Sequence, residues 1–333
     1  MKPSREASSL QGPTLITGGT GSLGQALVRR FLAKDSGEIR IYSRDEHKQF
    51  LMRQRFDDSR LTMYLGDVRD KSRLAQAMRG CHQVVHLAAM KHVPACEANP
   101  GEAIQTNITG ALNLAGTAID AGAAKVLFVS TDKAVSPTNL YGATKLVAEK
   151  ALLAANNLPG AKTRFAGIRF GNFFASRGNV VSLFHKQKHS GTLSLTDLRM
   201  TRFWMTLDQA ANFTLARLET ELAEGLYIPK MRALALKDLA KAIAPECGLR
   251  EIGRRAGEKL HEHLINADEA HLVREMEDYY VLFSNPMPDG FGGGHPVPLD
   301  FQMRSDLSAS KWTSSELDNL LSDQDSGGWD TFE

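Results

Sequence analysis

The sequence has little cysteine, and its three cysteines form no recognisable framework. Cys81, Cys96 and Cys247 show neither a C-x-x-C pair nor the spacing of a metal site. This distribution argues against a disulfide-stabilised secreted domain and against a metal centre with cysteine ligands. We therefore expect reduced, mostly structural thiols in a cytoplasmic protein.

The chain also lacks an excess of charge of either sign and a long apolar run. Its 40 Lys and Arg residues and 38 Asp and Glu residues give a net charge of +2, and the basic residues are dispersed. Nothing here indicates binding to nucleic acid. Residues 1–12 hold no apolar stretch typical of a signal peptide, and no run of about 18 apolar residues is long enough to span a bilayer. We expect a soluble cytoplasmic protein that makes no membrane contact.

What the sequence does contain is an alternation of apolar strand-like segments and helical patterns. Strands are predicted at 14–19, 38–43, 61–67, 83–89, 125–131 and 163–172. The helices between them are predicted at 22–34, 71–79, 102–121 and 142–156. Because strands that alternate with helices are joined by right-handed crossovers, the pattern predicts an α/β fold with a Rossmann-type doubly wound parallel sheet.

A glycine-rich turn, "TGGTGSLG" at 17–24, follows the first predicted strand and opens the first predicted helix. Its glycines let the backbone turn tightly and approach a pyrophosphate, whose charge is favoured by the helix N-terminus. Tight turns without a ligand also contain glycine triplets, but here strand, turn and helix occur in the required order. We expect this turn to bind a dinucleotide through Gly18, Thr20, Gly21, Ser22, Leu23 and Gly24.

The segment after the second strand, "YSRDEHK", indicates which dinucleotide binds. About 20 residues past the glycines, proteins that bind NAD place an acidic residue on the ribose. Here Ser43 and Arg44 come first, and a guanidinium suits a 2′-phosphate. Asp45 and Glu46 follow at once, so the alternative is a solvated charged loop. The sequence favours NADP over NAD.

Two further segments are predicted to contact the cofactor. Asp67 and Val68 in "GDVRD" would lie beside the adenine. Ala88 and Ala89 in "HLAA" would lie beneath the cofactor ribose, where small residues permit close approach of the backbone. Both alanines could equally be packing positions.

The stretch "STDKAVSPTNLYGATK" carries the candidate chemistry. Tyr141 and Lys145 are four residues apart on a predicted helix and therefore share a face. An ammonium near a phenol lowers the pKa of the phenol, so we expect Tyr141 to act as a base near neutral pH. Thr131 closes the preceding strand, where open α/β sheets place their active sites, and its hydroxyl can bridge the substrate oxygen. These three residues suffice to oxidise a secondary alcohol.

Asp132 and Lys133 add a second chemical capacity at the same strand end. Either residue alone would be an ordinary surface charge. Together they supply an acid and an amine base next to an oxidised carbon: once C4 of a hexose is a ketone, its C5 proton is acidified. Lys133 could remove that proton, and protonated Asp132 could donate to the departing C6 hydroxyl. The predicted reaction is a dehydration without net redox change.

The domain organisation follows from where the strand–helix pattern holds. We expect an NADP-binding Rossmann domain over 13–172 that carries the catalytic residues. Residues 173–304 would mainly bind the substrate, with segments that cross back to the sheet. A Pro/Gly-rich loop is predicted at 284–298, and a peripheral tail with one short helix around "SSELDNLL" at 305–333.

These motifs together resemble the extended short-chain dehydrogenase/reductase superfamily. Within it the chain is similar to the inverting UDP-N-acetylglucosamine 4,6-dehydratases of polysaccharide and pseudaminic acid biosynthesis. The similarity covers about 13–283 and depends most on "DKAVSPTNLYGATK" and "MTRFWMTLD". Related hexose dehydratases carry Asp-Glu in place of Asp132-Lys133, and Lys is associated with inversion at C5. Membrane-anchored, configuration-retaining relatives have Met in place of Tyr141, so the resemblance implies the inverting branch and, from its members, a homo-oligomer.

The resemblance also implies a set of residues that bind the UDP-sugar. Lys91 and His92 would border the sugar, Asn172 would face the diphosphate, and a group of charged residues would converge on it: Arg177, Arg199, Arg202, Arg255 and Glu258. Guanidinium groups suit a pyrophosphate because they form bidentate charge-assisted hydrogen bonds. Arg202 and Arg255 are favoured most, although each arginine could simply be a solvated salt-bridge partner. His261 and His263 are two residues apart and do not share a helix face, so we predict no metal.

Some residues depart from the family pattern. Phe173 and Phe174 stand where the family has smaller aliphatic residues, which predicts a reshaped pocket; Ala256 replaces a proline. The glycine-rich segment 289–294 has no counterpart. The alternatives to the dehydratase are a nucleotide-sugar 4-epimerase, a dehydratase acting on another UDP-sugar, and an NADP-binding scaffold without catalysis.

Overall fold

The computed structural model describes residues 12–34, 36–174, 176, 178–285 and 293–327. The strands in this part of the chain are β1 (Thr14–Thr17), β2 (Ile39–Ser43), β3 (Leu61–Leu65), β4 (Gln83–His86), β5 (Lys125–Thr131), β6 (Arg164–Phe170), β7 (Asn172–Phe173), β8 (Thr192–Leu195), β9 (Thr201–Met205), β10 (Gly225–Pro229), β11 (Arg232–Ala235), β12 (Gly248–Glu251), β13 (His263–Ile265), β14 (Val273–Glu275), β15 (Tyr279–Phe283), β16 (His295–Pro296) and β17 (Met303–Arg304). The α-helices are α1 (Ser22–Leu32), α2 (Glu46–Phe56), α3 (Lys71–Met78), α4 (Val93–Ala98), α5 (Pro100–Ile104), α6 (Gly110–Asp120), α7 (Leu140–Ala154), α8 (Val180–Gln187), α9 (Leu207–Leu218), α10 (Leu236–Ile243) and α11 (Ser314–Gly327).

One large sheet organises the molecule. Its strands follow the order β16-β14-β15-β10-β6-β5-β4-β1-β2-β3. Strands β1 to β6 and β10 run parallel, whereas β14, β15 and β16 add an antiparallel edge. The strand order reverses between β1 and β4, which confirms the predicted Rossmann-type doubly wound sheet. Such a sheet binds its ligands in the crevice outside the carboxyl ends of the strands at this switch point.

The central strands are apolar because helices cover both of their faces. Every residue of β1 and β4 is buried, and β6 is buried from its second residue onward. Near-continuous apolar runs of this kind are typical of parallel sheets, in which alternation of polar and apolar residues is lost. The main hydrophobic core therefore lies between this sheet and its helices.

The predicted helix at 102–121 is interrupted in the middle. Residues Gln105–Thr109 form a π-helical turn between α5 and α6. Within that turn the side chain of Asn107 accepts a hydrogen bond from Met90 N at 2.8 Å and donates to Met90 O at 3.0 Å. The widened turn thus directs one amide side chain onto the loop that follows β4, as π-bulges often do beside functional sites.

The chain beyond residue 172 contributes both to the sheet and to a second unit. Strands β10, β14, β15 and β16 return to the large sheet, while β7, β9 and β11 form a separate three-stranded sheet. A second apolar cluster packs around this smaller sheet and includes Phe174, Trp204 and, from α11, Leu317 and Leu321. The division of the chain into a cofactor domain and a substrate region remains a prediction.

The segment predicted as a peripheral tail packs closely over its first part. Ser305 is 1% exposed, and its hydroxyl lies 2.7 Å from Thr201 Oγ1. The side chains of Leu317 and Leu321 are also buried. The first part of the tail is therefore packed against the protein and not peripheral as predicted, because two leucines at i,i+4 spacing give α11 an apolar stripe that can be buried. Residues 328–333 and most of the glycine-rich segment, 289–292, lie outside the described residues.

Among the residues that the structure describes, no helix combines the length and the apolar character needed to cross a bilayer.

Candidate active site

A cleft of about 700 Å³ opens at the carboxyl ends of β1, β4 and β5. Of the residues predicted from the sequence, those that line it are Gly18, Thr20, Gly21, Ser22, Leu23, Gly24, Ser43, Arg44, Val68, Ala88, Ala89, Lys91, His92, Thr131, Lys133, Tyr141, Lys145 and Asn172. The lining described by the structure does not include Asp67, Asp132, Arg199, Arg202, Arg255 or Glu258. Arg177 lies outside the described residues.

The glycine turn is shaped by close backbone contacts. Gly18 has φ +67°, and a Cβ added there would lie 2.7 Å from Ala88 N. A Cβ at Gly24 would lie 2.2 Å from Gly19 O. Gly21 is the N-cap of α1, where no side chain caps the helix in the described structure, and the first turn holds no acidic residue. The N-terminus of α1 therefore faces the cleft in a form that suits an anionic group.

Two basic side chains and one acidic side chain from the segment after β2 line the cleft: Arg44, Lys48 and Asp45. Of these, Lys48 is a residue that the sequence reasoning missed. Asp45 caps α2 by accepting a hydrogen bond from Lys48 N at 2.9 Å, and its other oxygen lies 2.5 Å from Lys48 Nζ. The hydrogen bonds from Lys48 hold the pKa of Asp45 below its ordinary value. Both oxygens of this carboxylate are thus engaged within the turn.

The Asp67 side chain forms its hydrogen bonds within the protein. Its carboxylate accepts hydrogen bonds from Arg69 at 2.9 Å (N), 3.0 Å (Nε) and 2.8 Å (Nη2), and Arg44 Nη1 lies 3.6 Å away. Both oxygens of the Asp67 carboxylate are thus engaged by Arg69, and its contact with the adenine remains a prediction. Val68, its neighbour, does line the cleft.

The Asp132–Lys133 pair forms a hydrogen-bonded unit at the end of β5. A short 3-10 turn, Asp132–Ala134, follows the strand directly. Lys133 Nζ and Thr131 Oγ1 each donate to Asp132 Oδ1 at 2.9 Å. Asp132 is 0% exposed, and its Oδ2 has no hydrogen-bond partner among the described residues. Lys133 and Thr131 thus form the cleft wall, and Asp132 lies behind them.

Lys133 is an ammonium in this arrangement. Burial by itself would lower the pKa of Lys133, but the carboxylates of Asp132 and Glu262 outweigh burial and raise the pKa above that of an ordinary lysine. The Glu262 Oε1 atom lies 3.8 Å from Lys133 Nζ. A lysine that acts as a base must therefore first give up a proton, and Asp132 Oδ1 is the acceptor within hydrogen-bond distance.

Tyr141 and Lys145 are both buried on one face of α7, as their spacing predicts. Burial raises the pKa of Tyr141 to about 12, while Lys133 and a hydrogen bond with Thr131 act in the opposite direction. Lys145 Nζ donates to Val129 O at 2.7 Å, and burial lowers the pKa of Lys145 to about 8. Of the two lysines, Lys133 is the one whose ammonium lowers the pKa of Tyr141 in this arrangement, and the predicted effect of Lys145 on the phenol remains a prediction.

The two arginines favoured for the diphosphate are engaged elsewhere. The buried Arg202 guanidinium donates to three backbone carbonyls: Thr201 O at 2.7 Å, Lys259 O at 3.0 Å and Leu260 O at 3.1 Å. It therefore anchors the segment 259–260 to β9. Arg255 is exposed, and its nearest acidic partner is Glu258, at 3.9 Å.

Arg199 also is not among the residues that line the cleft. It is 71% exposed, and its guanidinium binds both oxygens of Asp197, at 3.0 Å and 2.7 Å. Arg199, Arg202 and Arg255 do not line the cleft, and a contact of any of them with the substrate remains a prediction. Lys91, His92 and Asn172 are the predicted substrate residues that do line the cleft.

The pair of phenylalanines separates into two environments. Phe173 lines the cleft and meets Phe170 edge to face at 5.4 Å. Phe174 is buried in the second apolar cluster, stacked on Trp204 at 4.9 Å. Only Phe173 can reshape the pocket, because consecutive residues of a strand point to opposite faces.

A buried ionic network holds α7 in place. Arg169 on β6 makes a bidentate pair with Glu149 at 2.9 Å, and a second with Glu269 at 3.0 Å and 2.8 Å. Glu149 is one helical turn beyond Lys145 on α7. The network therefore ties the helix that carries Tyr141 and Lys145 to the sheet and to the segment after β13.

Comparison with known proteins identifies a family and relatives that are named as enzymes acting on UDP-sugars. Residues 14–284 match the family described as "Polysaccharide biosynthesis protein". The chain is 48% identical over 272 residues to the UDP-N-acetylglucosamine 4,6-dehydratase (inverting) of Campylobacter jejuni subsp. jejuni serotype O:2, which covers 80% of this chain and 81% of that protein. It is 41% identical over 279 residues to the UDP-glucose 4-epimerase of Rickettsia massiliae, with coverage of 80% and 82%. Among solved structures, Pen from Bacillus thuringiensis matches with a TM-score of 0.87 at 36% identity, over 94% of this chain and 98% of that one.

The family match spans most of the chain and includes every strand from β1 to β15. It confirms the resemblance that the sequence motifs indicated. The chain belongs to the polysaccharide biosynthesis protein family, and an inverting UDP-N-acetylglucosamine 4,6-dehydratase is among its relatives.

Proposed function

We propose that this protein is a UDP-N-acetylglucosamine 4,6-dehydratase that inverts C5. The observation that carries the proposal is the 2.9 Å hydrogen bond between Lys133 Nζ and Asp132 Oδ1, where Lys133 lines the cleft together with Thr131 and Tyr141. An alcohol dehydrogenase or an epimerase needs only the threonine and the tyrosine. The additional acid–base pair matches an elimination, and the 48% identical relative carries the name of that reaction.

The cleft fits a nicotinamide dinucleotide, and we propose NADP rather than NAD. The uncapped N-terminus of α1 suits the pyrophosphate, and Arg44 with Lys48 suits a 2′-phosphate. Asp45, which could otherwise hold the ribose of NAD, is engaged by Lys48. When bound, the nicotinamide ring supplies the acceptor and later the donor of a hydride.

The residues at the cleft wall divide the proton transfers between them. Tyr141 accepts the proton of the C4 hydroxyl as a phenolate, a form that burial disfavours and the Lys133 ammonium favours. Lys133 then passes a proton to Asp132 along their hydrogen bond, which creates an amine and a carboxylic acid. The amine removes the C5 proton that the C4 ketone has acidified.

Asp132, now a carboxylic acid, supplies the proton for the loss of the C6 hydroxyl. The proton on Asp132 leaves with the C6 hydroxyl as water, and because Asp132 lies behind the wall, it travels through the Thr131 hydroxyl at 2.9 Å. Lys133 has then gained the C5 proton and Asp132 has lost its own. The pair is thereby restored to an ammonium and a carboxylate. When C6 accepts the hydride, C5 takes up a solvent proton on the face opposite Lys133, which inverts C5, and Tyr141 gives up the proton that it took from the C4 hydroxyl.

The product of UDP-N-acetylglucosamine turnover tests the proposal. We expect an NMR spectrum with a C6 methyl group and a 4-keto or hydrated C4. Conversion to UDP-N-acetylgalactosamine without a methyl group would identify a 4-epimerase, the activity named for the 41% identical Rickettsia relative, and would overturn the proposal. A homo-oligomer remains a prediction, which light scattering after gel filtration can measure.

A further inference from the structure

Glu262 is a buried carboxylate that the reaction described above does not use. Its side chain is 4% exposed, and it is near Lys133 but is not among the residues that line the cleft. Oε1 lies 3.8 Å from Lys133 Nζ and 3.9 Å from Arg202 Nε, and Oε2 lies 3.6 Å from Lys259 Nζ. These separations exceed hydrogen-bond lengths, so Glu262 acts on its neighbours through charge.

The backbone around Glu262 is held on two sides. Glu262 N donates to Ser305 Oγ at 3.0 Å, and Glu262 O accepts from Ser305 N at 2.9 Å. Arg202 fixes the preceding residues through the carbonyls of Lys259 and Leu260. A carboxylate anchored in this way stays at a fixed distance from the Asp132–Lys133 pair.

We propose that Glu262 is a positioning residue that controls how Lys133 and Asp132 share their proton. The inference rests on the proposed function, in which the pair must change from ammonium–carboxylate to amine–acid. An ionised Glu262 favours the ammonium, because it lies near Lys133 and makes no hydrogen bond with Asp132 in the described structure. A neutral Glu262 favours the amine and the acid.

The charged groups that face Glu262 are Lys133 and Asp132 from the turn after β5, Arg202 from β9, and Lys259 from its own segment. Burial raises the pKa of Glu262, and the three cations oppose that increase. Burial also lowers the pKa of Lys259, with Glu262 opposing. Glu262 thus lies at a point where its charge alters the proton affinity of Lys133.

The direct test titrates Lys133 itself. Competitive labelling with acetic anhydride at a series of pH values, quantified by mass spectrometry, reports the fraction of each lysine present as amine. In Glu262→Gln the midpoint for Lys133 should fall by about one pH unit or more, because one negative charge at 3.8 Å is removed. In Lys259→Met the midpoint should rise, because a positive charge is removed. The exposed Glu246→Gln variant is the matched control and should leave the midpoint unchanged.

An unchanged Lys133 midpoint in Glu262→Gln, or shifts in the same direction for Glu262→Gln and Lys259→Met, would overturn the proposal. Glu262→Asp retains the charge and should restore most of the wild-type midpoint; failure of that rescue would indicate a role in packing alone. Thermal melting establishes that each variant is folded, and Lys259→Met gives an independent answer if Glu262→Gln is not. Labelling needs no substrate, so its result is separate from whether the protein dehydrates UDP-N-acetylglucosamine.

Discussion

Replacing Lys133 with methionine isolates the elimination from the oxidation that precedes it. Methionine keeps most of the aliphatic stem but cannot accept a proton. Asp132 would retain Thr131 as its hydrogen-bond donor and lose the ammonium. The free energy of unfolding should therefore fall by about 1–3 kcal/mol, the cost of removing one partner of a buried charged group. The fold and the binding of the dinucleotide should survive.

The substitution should lower kcat by far more than a partial loss of folded protein could explain. General acid–base groups contribute about 10²–10⁴-fold each, and Lys133 serves both as base and as the donor that loads Asp132. We expect kcat for UDP-N-acetylglucosamine dehydration to fall by about 10³-fold or more. Because Tyr141 and Thr131 remain, oxidation at C4 should still occur slowly, so reduced nicotinamide should accumulate in a single-turnover experiment.

The assay compares Lys133→Met with wild type and with Lys150→Met, an exposed lysine on α7 that serves as the control. Product is followed by NMR and reduced nicotinamide by its near-ultraviolet absorbance. A Lys133→Met variant that turns over within tenfold of the control would refute the assignment of Lys133 as the base. So would loss of dinucleotide binding together with activity, because that would indicate a role in assembling the cleft.

Three other substitutions test separate parts of the account. Arg169→Met leaves Glu149 and Glu269 without their shared partner and should lower the free energy of unfolding by about 3–5 kcal/mol. Urea denaturation measures this against the exposed Arg164→Met control, and equal denaturation midpoints for the two variants would contradict it. Arg44→Ser should weaken NADP binding about tenfold and leave NAD binding unchanged in a fluorescence titration; equal losses would argue against a 2′-phosphate contact. Thr131→Val should lower kcat about 100-fold with little change in KM, since it removes the hydroxyl bonded to Asp132; a change in KM alone would disagree.

Local motifs predicted the parts of the site that depend on neighbours in sequence. The glycine turn, the threonine at the end of β5 and the Tyr141–Lys145 spacing all reach the cleft, because each lies within or next to one secondary-structure element. The parallel, doubly wound character of the sheet also followed from the alternation of strands and helices. Helix α2 was not predicted, since its buried residues are only Gln49 and Met52 and leave no apolar stripe in the sequence.

Residues that act across the fold were not predictable in the same way. Arg202 was expected at the diphosphate, but its guanidinium donates to carbonyls of residues 259 and 260, a contact that no local pattern encodes. Glu262 escaped notice although it lies in "GEKLHE", because only the folded chain brings it near Lys133. The pKa of Tyr141 also depends on burial, which the spacing of Tyr141 and Lys145 cannot show.

The most direct measurement of the central claim is the fate of the C5 hydrogen during turnover in deuterated water. If the Lys133 amine removes the C5 proton and exchanges it with solvent, UDP-N-acetylglucosamine should yield a 6-deoxy-4-keto product with deuterium at C5. A methyl-bearing product that retains the original C5 hydrogen would contradict proton abstraction at that carbon, and with it the role given to the lysine–aspartate pair.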